Sequence, residues 1–166
     1  MRETHGRLIL ARMDKYRILS RPAGWLALSG GVGLVPFMPG TFGALAGIPL
    51  GFGLGAMPEA VALALLAVGF GAGIWACAVA GKMMGQEDPG AIVWDETWAM
   101  AALVWLVPEH ALSGFVLFRL FDIWKPWPIR MMDARLKGGI GIMADDAVAA
   151  CAAWAILMLP IPLPPA

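Results

Sequence analysis

Charge is what this 166-residue sequence has least of. Asp, Glu, Lys and Arg make up 14% of it, against about 25% in ordinary soluble domains. That is too few to cover a surface facing water. Hydrophobic residues reach 60% and the mean hydropathy is +0.73, so lipid rather than water is the expected surroundings. No excess of either sign is present: 12 basic and 12 acidic residues cancel, which excludes a polybasic nucleic-acid binder and an acidic disordered tail. Cysteine is scarce as well. Cys77 and Cys151 stand in apolar runs, cannot build a multi-disulfide framework, and read as small buried hydrophobes. The first 21 residues hold Arg2, Arg7, Arg12, Lys15, Arg17 and Arg21 but lack the apolar core of a cleavable signal peptide. They read as a basic arm, residues 1–23, on an anionic membrane surface.

What is abundant is helical, apolar sequence. Pro36, Pro39 and Gly40 interrupt the run from Gly24 to Met57. Residues 24–37 are expected as an interfacial or re-entrant segment, followed by a first spanning helix over about 41–57, capped by Thr41 and bent at Pro49. Residues 59–81, rich in Ala, Gly, Leu and Val, form the clearest span. A third helix is expected over about 91–107, a fourth over about 111–124 after a turn at Pro108, Glu109 and His110, and a fifth from about Ala144 to Pro160. The tail PIPLPPA cannot extend it. The expected fold is all-α: a polytopic membrane bundle of four or five spans, forming one domain over 24–163 with a short tail at 164–166. Small residues in the first two helices permit tight packing within the chain or a homodimer equally well.

Lys and Arg fall on one side of this arrangement. The arm, Lys82 and the loop containing Lys125, Arg130, Arg135 and Lys137 share a face that should be cytoplasmic. The connection near Met57 and Pro58, the Pro108–His110 turn and the C-terminus carry none.

Ionisable groups inside membrane helices are costly and mark functional sites. Asp95 and Glu96 open the third helix, Asp122 closes the fourth, and Asp145 and Asp146 are placed at the start of the fifth, so all five carboxylates come to the cytoplasmic boundary. Such a cluster needs a compensating cation. Oxygen donors without His or Cys favour a hard ion, with magnesium (Mg2+) the expected one. Adjacent helix residues point about 100° apart, so within each acidic pair one residue should touch the metal and the other support it. Asp88 reads as a turn residue that could join them. Asp145 and Asp146 could instead only face their helix dipole. Arg119, Lys125, Arg130, Arg135 and Lys137 lie at the same level, with Arg119 three residues before Asp122. A mixture of this kind suits a phosphate. For the basic loop the plainer role is to orient the helices. Thr41, beside Gly40 and Gly43, could cap a helix or touch phosphate.

The segments LVPFMPGTFGALAGIP, EDPGAIVWDE, FVLFRLFDIWKPWPIR and KGGIGIMADD, in this order, resemble the successive signatures of the phosphatidylglycerophosphatase A family over roughly residues 24–151. The resemblance implies a magnesium-dependent phosphatase of a bacterial inner membrane, acting at the cytoplasmic face on phosphatidylglycerophosphate to give phosphatidylglycerol and inorganic phosphate. By motif it implies catalytic roles for Asp95, Glu96, Asp122, Asp145 and Asp146, a subset of which would hold the metal, with Asp88 at the variable entrance to the acidic motif. Thr41, Arg119, Lys125, Arg130 and Lys137 are the residues expected to meet substrate. Ala44 stands where Ser is also familiar, so no hydroxyl role falls there.

The expected mechanism is attack on the terminal phosphomonoester by a water that metal or carboxylate positions. A covalent route through Asp122 or Asp95 stays open. Other phosphatase chemistries fit less well: neither cysteine has Arg six positions later, DxDxT is absent, and His5 and His110 fall away from the acids. The DxxDG motif of CDP-alcohol phosphotransferases is also missing. The nonenzymatic alternative is a small cation or proton transporter using the same carboxylates, against which the nearly uniform apolarity of the far halves of the helices argues.

Overall fold

The computed structural model describes residues 17–86, 89–126 and 136–159, so the arm before Arg17 and the tail from Pro160 lie outside the described residues. Among those described there are helices and no strands. In chain order they are α1 (Pro22–Ala27), α2 (Pro39–Gly55), α3 (Glu59–Met84), α4 (Trp94–Leu106), α5 (Ala111–Trp124) and α6 (Gly138–Leu157), with short 3-10 stretches at Ser29–Leu34 and Pro108–His110.

Among the described residues two helices are long and apolar enough to cross a membrane. They are α3, with 26 residues and a mean hydropathy of 2.1, and α6, with 20 residues and 1.7. At about 1.5 Å per residue they reach roughly 39 and 30 Å, against about 30 Å for a hydrocarbon core. The other helices are shorter, at 17 residues for α2, 13 for α4 and 14 for α5.

Apolar residues fill the interior and also cover much of the outside. Buried polar or charged residues are Asp95, Thr97, Asp145 and Asp146, whereas Phe52, Val68, Leu112, Val116, Leu120 and Ile123 are among the large apolar side chains exposed on the outside. An exposed apolar surface of this extent is what lipid-facing helices present.

Close backbone approach assembles the bundle. On α2, Gly43, Ala44, Gly47 and Gly51 are buried, and a β-carbon at Gly51 would meet Val104 of α4 at 2.6 Å. The small-residue stripe of α2 is therefore used within the chain. On the other side of α4, the indole Nε1 of Trp94 donates to Gly69 O at 3.0 Å and that of Trp98 to Leu66 O at 2.9 Å, fastening α4 to α3. At Gly139 a β-carbon would collide with Ile74 O, so α6 lies directly on α3. Two buried clusters result, one around Met100, Leu103 and Phe118 and the other around Leu28, Cys77 and Met143.

Several boundaries differ from expectation for identifiable reasons. Pro39, suited to a first helical turn, starts α2 two residues early, so Thr41 lies inside the helix and does not cap it. The glycines at 138, 139 and 141 do not delay α6, which begins at Gly138 and not near Ala144; the missing side chain at Gly139 lets the helix lie against α3, and that at Gly141 leaves room for the Leu136 backbone. Asp145 and Asp146 consequently stand two turns inside α6. Residues 24–37 fold back as α1 and a 3-10 stretch, with Ser29, Gly30 and Gly31 at positive φ. This segment is tied to the lead-in of α4 by Val93 N donating to Ala27 O at 2.9 Å.

Candidate active site

The start of α4 meets the end of α5 and the second turn of α6 around a cavity of about 360 Å³ lined by Asp95, Glu96, Asp122, Lys125, Lys137, Asp145 and Asp146. Each carboxylate arrives by a different local cause. Asp95 and Glu96 occupy the first turn of α4, where acids complement the helix dipole. Asp122 sits in the last turn of α5. Asp145 and Asp146 are held deep because the glycine-rich start of α6 runs past the site along α3.

The acids divide by their partners. Asp122 is ion-paired with Arg119, and Asp145 with Lys125. Arg119 Nη1 also stands 3.8 Å from Glu96 Oε1. The carboxylates of Asp95, Glu96 and Asp146 bring one oxygen each to within 4.8 Å of one another, and Asp95 Oδ1, Glu96 Oε2 and Asp146 Oδ2 are buried without a hydrogen-bond partner. Buried carboxylate oxygens in that condition are costly unless a cation joins them. The donor set is all oxygen, which suits a hard divalent ion such as magnesium. Among the described residues this trio is the group of His, Cys, Asp and Glu placed to hold a metal. Asp146 joins the trio while Asp145 pairs with Lys125, whereas Asp95 and Glu96 both belong to the trio. The longer side chain of Glu96 makes up the angular difference between adjacent helix positions.

Backbone conformation at the rim is unusual. Lys125 ends α5 with φ 42° and Met38 precedes α2 with φ 48°, a region that few non-glycine residues occupy and that tends to recur at functional sites. The left-handed turn at Lys125 ends α5 at the residue that is paired with Asp145.

Thr41 and Arg119 do not line the acid cavity. Both line a separate apolar groove between the start of α2 and α5, although Arg119 reaches the acids through its guanidinium. Gly40, one residue before Thr41, lies so close to Glu96 that a β-carbon there would collide with Oε1. Asp88, Arg130 and Arg135 fall outside the described residues.

Sequence reasoning passed over Thr97. Its buried hydroxyl lies 2.9 Å from Gly43 O, 2.7 Å from Val93 O and 2.8 Å from the Ser29 hydroxyl, joining α2 and the Ser29–Leu34 stretch to α4 one residue after Glu96. Its place in WDET, between an acidic pair and an apolar helix, is the signal that could have revealed it.

Comparison with known proteins accords with this geometry. The chain is 40% identical to "Phosphatidylglycerophosphatase A" of Escherichia coli (strain K12) over 143 residues, covering 84% of this chain and 83% of that one. It is also 40% identical to the protein of the same name in Haemophilus influenzae over 137 residues, with coverage of 80% and 84%. A Bacteroides thetaiotaomicron protein provisionally named a phosphatidylinositol-3-phosphatase is 36% identical over 145 residues, covering 79% of this chain and 90% of its own. No solved structure matches. Residues 25–161 match the family described as Phosphatidylglycerophosphatase A, and the chain belongs to that family.

Proposed function

We propose that the chain hydrolyses the terminal phosphomonoester of phosphatidylglycerophosphate, releasing phosphatidylglycerol and inorganic phosphate, at the cytoplasmic face of a bacterial inner membrane. The observation that carries this reading is the trio Asp95, Glu96 and Asp146, each with one buried carboxylate oxygen lacking a hydrogen-bond partner, set beside Lys125 and Lys137 in one cavity, in a chain whose relatives carry that activity in their names.

Asp95, Glu96 and Asp146 would hold magnesium, with Asp122 and Asp145 kept in place by Arg119 and Lys125. When bound, the ion would supply charge that offsets the phosphoryl oxygens and polarises the phosphorus. Lys125 and Lys137 at the cavity wall attract the dianionic head and orient it. A carboxylate of the cluster accepts the proton of a water as its oxygen forms the new bond to phosphorus. The bond from phosphorus to the glycerol oxygen breaks, and that oxygen takes the proton the carboxylate accepted and leaves as the alcohol. Burial of the acids beneath apolar helices limits competing solvent, which strengthens each of these interactions.

In the same reading α2–α6 make up a five-segment domain within residues 24–163, with α3 and α6 crossing the bilayer and the shorter α2, α4 and α5 packed against them. Lys82, Lys125 and Lys137 face the cytoplasm in this reading, in keeping with the distribution of Lys and Arg. The transporter reading has less support: among the described residues the buried polar and charged side chains are Asp95, Thr97, Asp145 and Asp146, and no buried charge continues toward the Pro108–His110 side.

Phosphate release from phosphatidylglycerophosphate and from phosphatidylinositol 3-phosphate, in the same mixed micelles, tests the substrate. A higher kcat/KM on the former supports the proposal, and a higher value on the latter overturns it.

A further inference from the structure

Arg119 stands between two concavities. Besides reaching the acids, it forms part of a groove of about 550 Å³ whose other walls include Met38 and Thr41 at the start of α2 and Val116, Leu120 and Ile123 on α5. Val116, Leu120 and Ile123 are 50%, 53% and 65% exposed, so the groove opens to the outside of the bundle. Thr41 and Arg119 apart, its lining is hydrocarbon.

The order of chemistry along this surface is that of a phospholipid. The acid cavity with Lys125 and Lys137 suits a phosphate. Arg119, 3.8 Å from Glu96, and Thr41, next to the Gly40 that abuts Glu96, stand where the cavity and groove adjoin. Beyond them the walls are apolar. From Trp124 to Phe115, both of which line the groove, α5 advances about 14 Å at roughly 1.5 Å per residue, with Arg119 near the middle, so the apolar wall extends about 6 Å past Arg119 on the Phe115 side.

We propose that this groove seats an acyl chain of the substrate phospholipid, so that the phosphate end turns past Arg119 into the acid cavity while the chain stays in the membrane. The assignment rests on the phosphatase reading above. A chain leaving the bilayer for the groove exchanges one hydrocarbon environment for another, so little affinity comes from the exchange itself. What the groove supplies is register: it fixes the depth at which the phosphomonoester meets the carboxylates, and errors of about 1 Å in such placement can cost about 100-fold in rate.

Photolabelling decides this. Full-length protein in phosphatidylcholine vesicles would receive phosphatidylglycerophosphate bearing a diazirine in one acyl chain, and the labelled peptides would be mapped by mass spectrometry, with phosphate release followed in parallel. The expected label concentrates on Val116, Leu120 and Ile123 and is displaced by excess unlabelled phosphatidylglycerophosphate. Val116→Trp should reduce both that label and phosphate release from the lipid about tenfold, whereas Val68→Trp, at a 68% exposed position on α3, should change neither. Label spread over lipid-facing residues including Val68, insensitive to competitor, would overturn the groove assignment. If wild-type protein releases no phosphate, the substrate reading fails, and the label map in wild-type protein still decides whether a lipid chain occupies the groove.

Discussion

Gly40 stands against Glu96 with no room for a side chain: a β-carbon at Gly40 would collide with Glu96 Oε1 and come within 3.3 Å of Arg119 Nη1. The first turn of α2 is thus a wall of the acid cluster although it contributes no acid.

Gly40→Ala should therefore act on chemistry more than on folding. The obstructing atom is the end of a flexible side chain, which can swing away, and alanine favours a helix over glycine by roughly 0.5–1 kcal/mol. Displacement of the Glu96 carboxylate should lower kcat/KM by at least about tenfold, with thermal stability in detergent unchanged or raised. Gly53→Ala on the same helix, where a β-carbon meets nothing within 4 Å, is the silent comparison.

Thr97→Val keeps the shape and removes the hydroxyl that joins Gly43, Val93 and Ser29. Loss of a buried hydrogen bond with its acceptors left in place costs about 1–3 kcal/mol. Reversible unfolding in mixed micelles should show destabilisation in that range, and Thr97→Ser should restore most of it. Stability equal to wild type in Thr97→Val would remove the hydroxyl from the account of how α2 is held to α4.

Gly139→Ala tests why α6 starts where it does. The added carbon would collide with Ile74 O, a backbone atom that cannot turn aside. Overpacking of this kind costs about 1–3 kcal/mol, and because α6 carries Asp145 and Asp146, activity should fall together with stability. Gly71→Ala on α3, facing open space, should leave both intact.

Much of this arrangement was legible in the residues. The ends of α4 and α5 follow from Pro108 and from the acids and apolar runs around it, and the meeting of Asp95, Glu96, Asp122, Asp145 and Asp146 follows from antiparallel connection of short helices. Less legible was anything decided by backbone approach. The start of α6 at Gly138 depends on contact with Ile74, which helix propensity does not register. The separation of Thr41 and Arg119 from the acid cavity into a groove depends on how α2 crosses α5. Thr97 carried no charge to draw notice, yet it is buried at the junction of three segments. Which acids pair with a cation was also invisible, because it depends on Arg119 and Lys125 reaching Asp122 and Asp145.

The central claim is that Asp95, Glu96 and Asp146 form a magnesium-dependent phosphatase centre. Its most direct measurement is phosphate release from phosphatidylglycerophosphate in mixed micelles by the purified protein, with magnesium and with chelator, beside Asp95→Asn of matched thermal stability. The account predicts release that chelator stops, that added magnesium restores, and that Asp95→Asn lowers by at least about 100-fold. Release that continues undiminished in chelator, or in the folded Asp95→Asn protein, would contradict it.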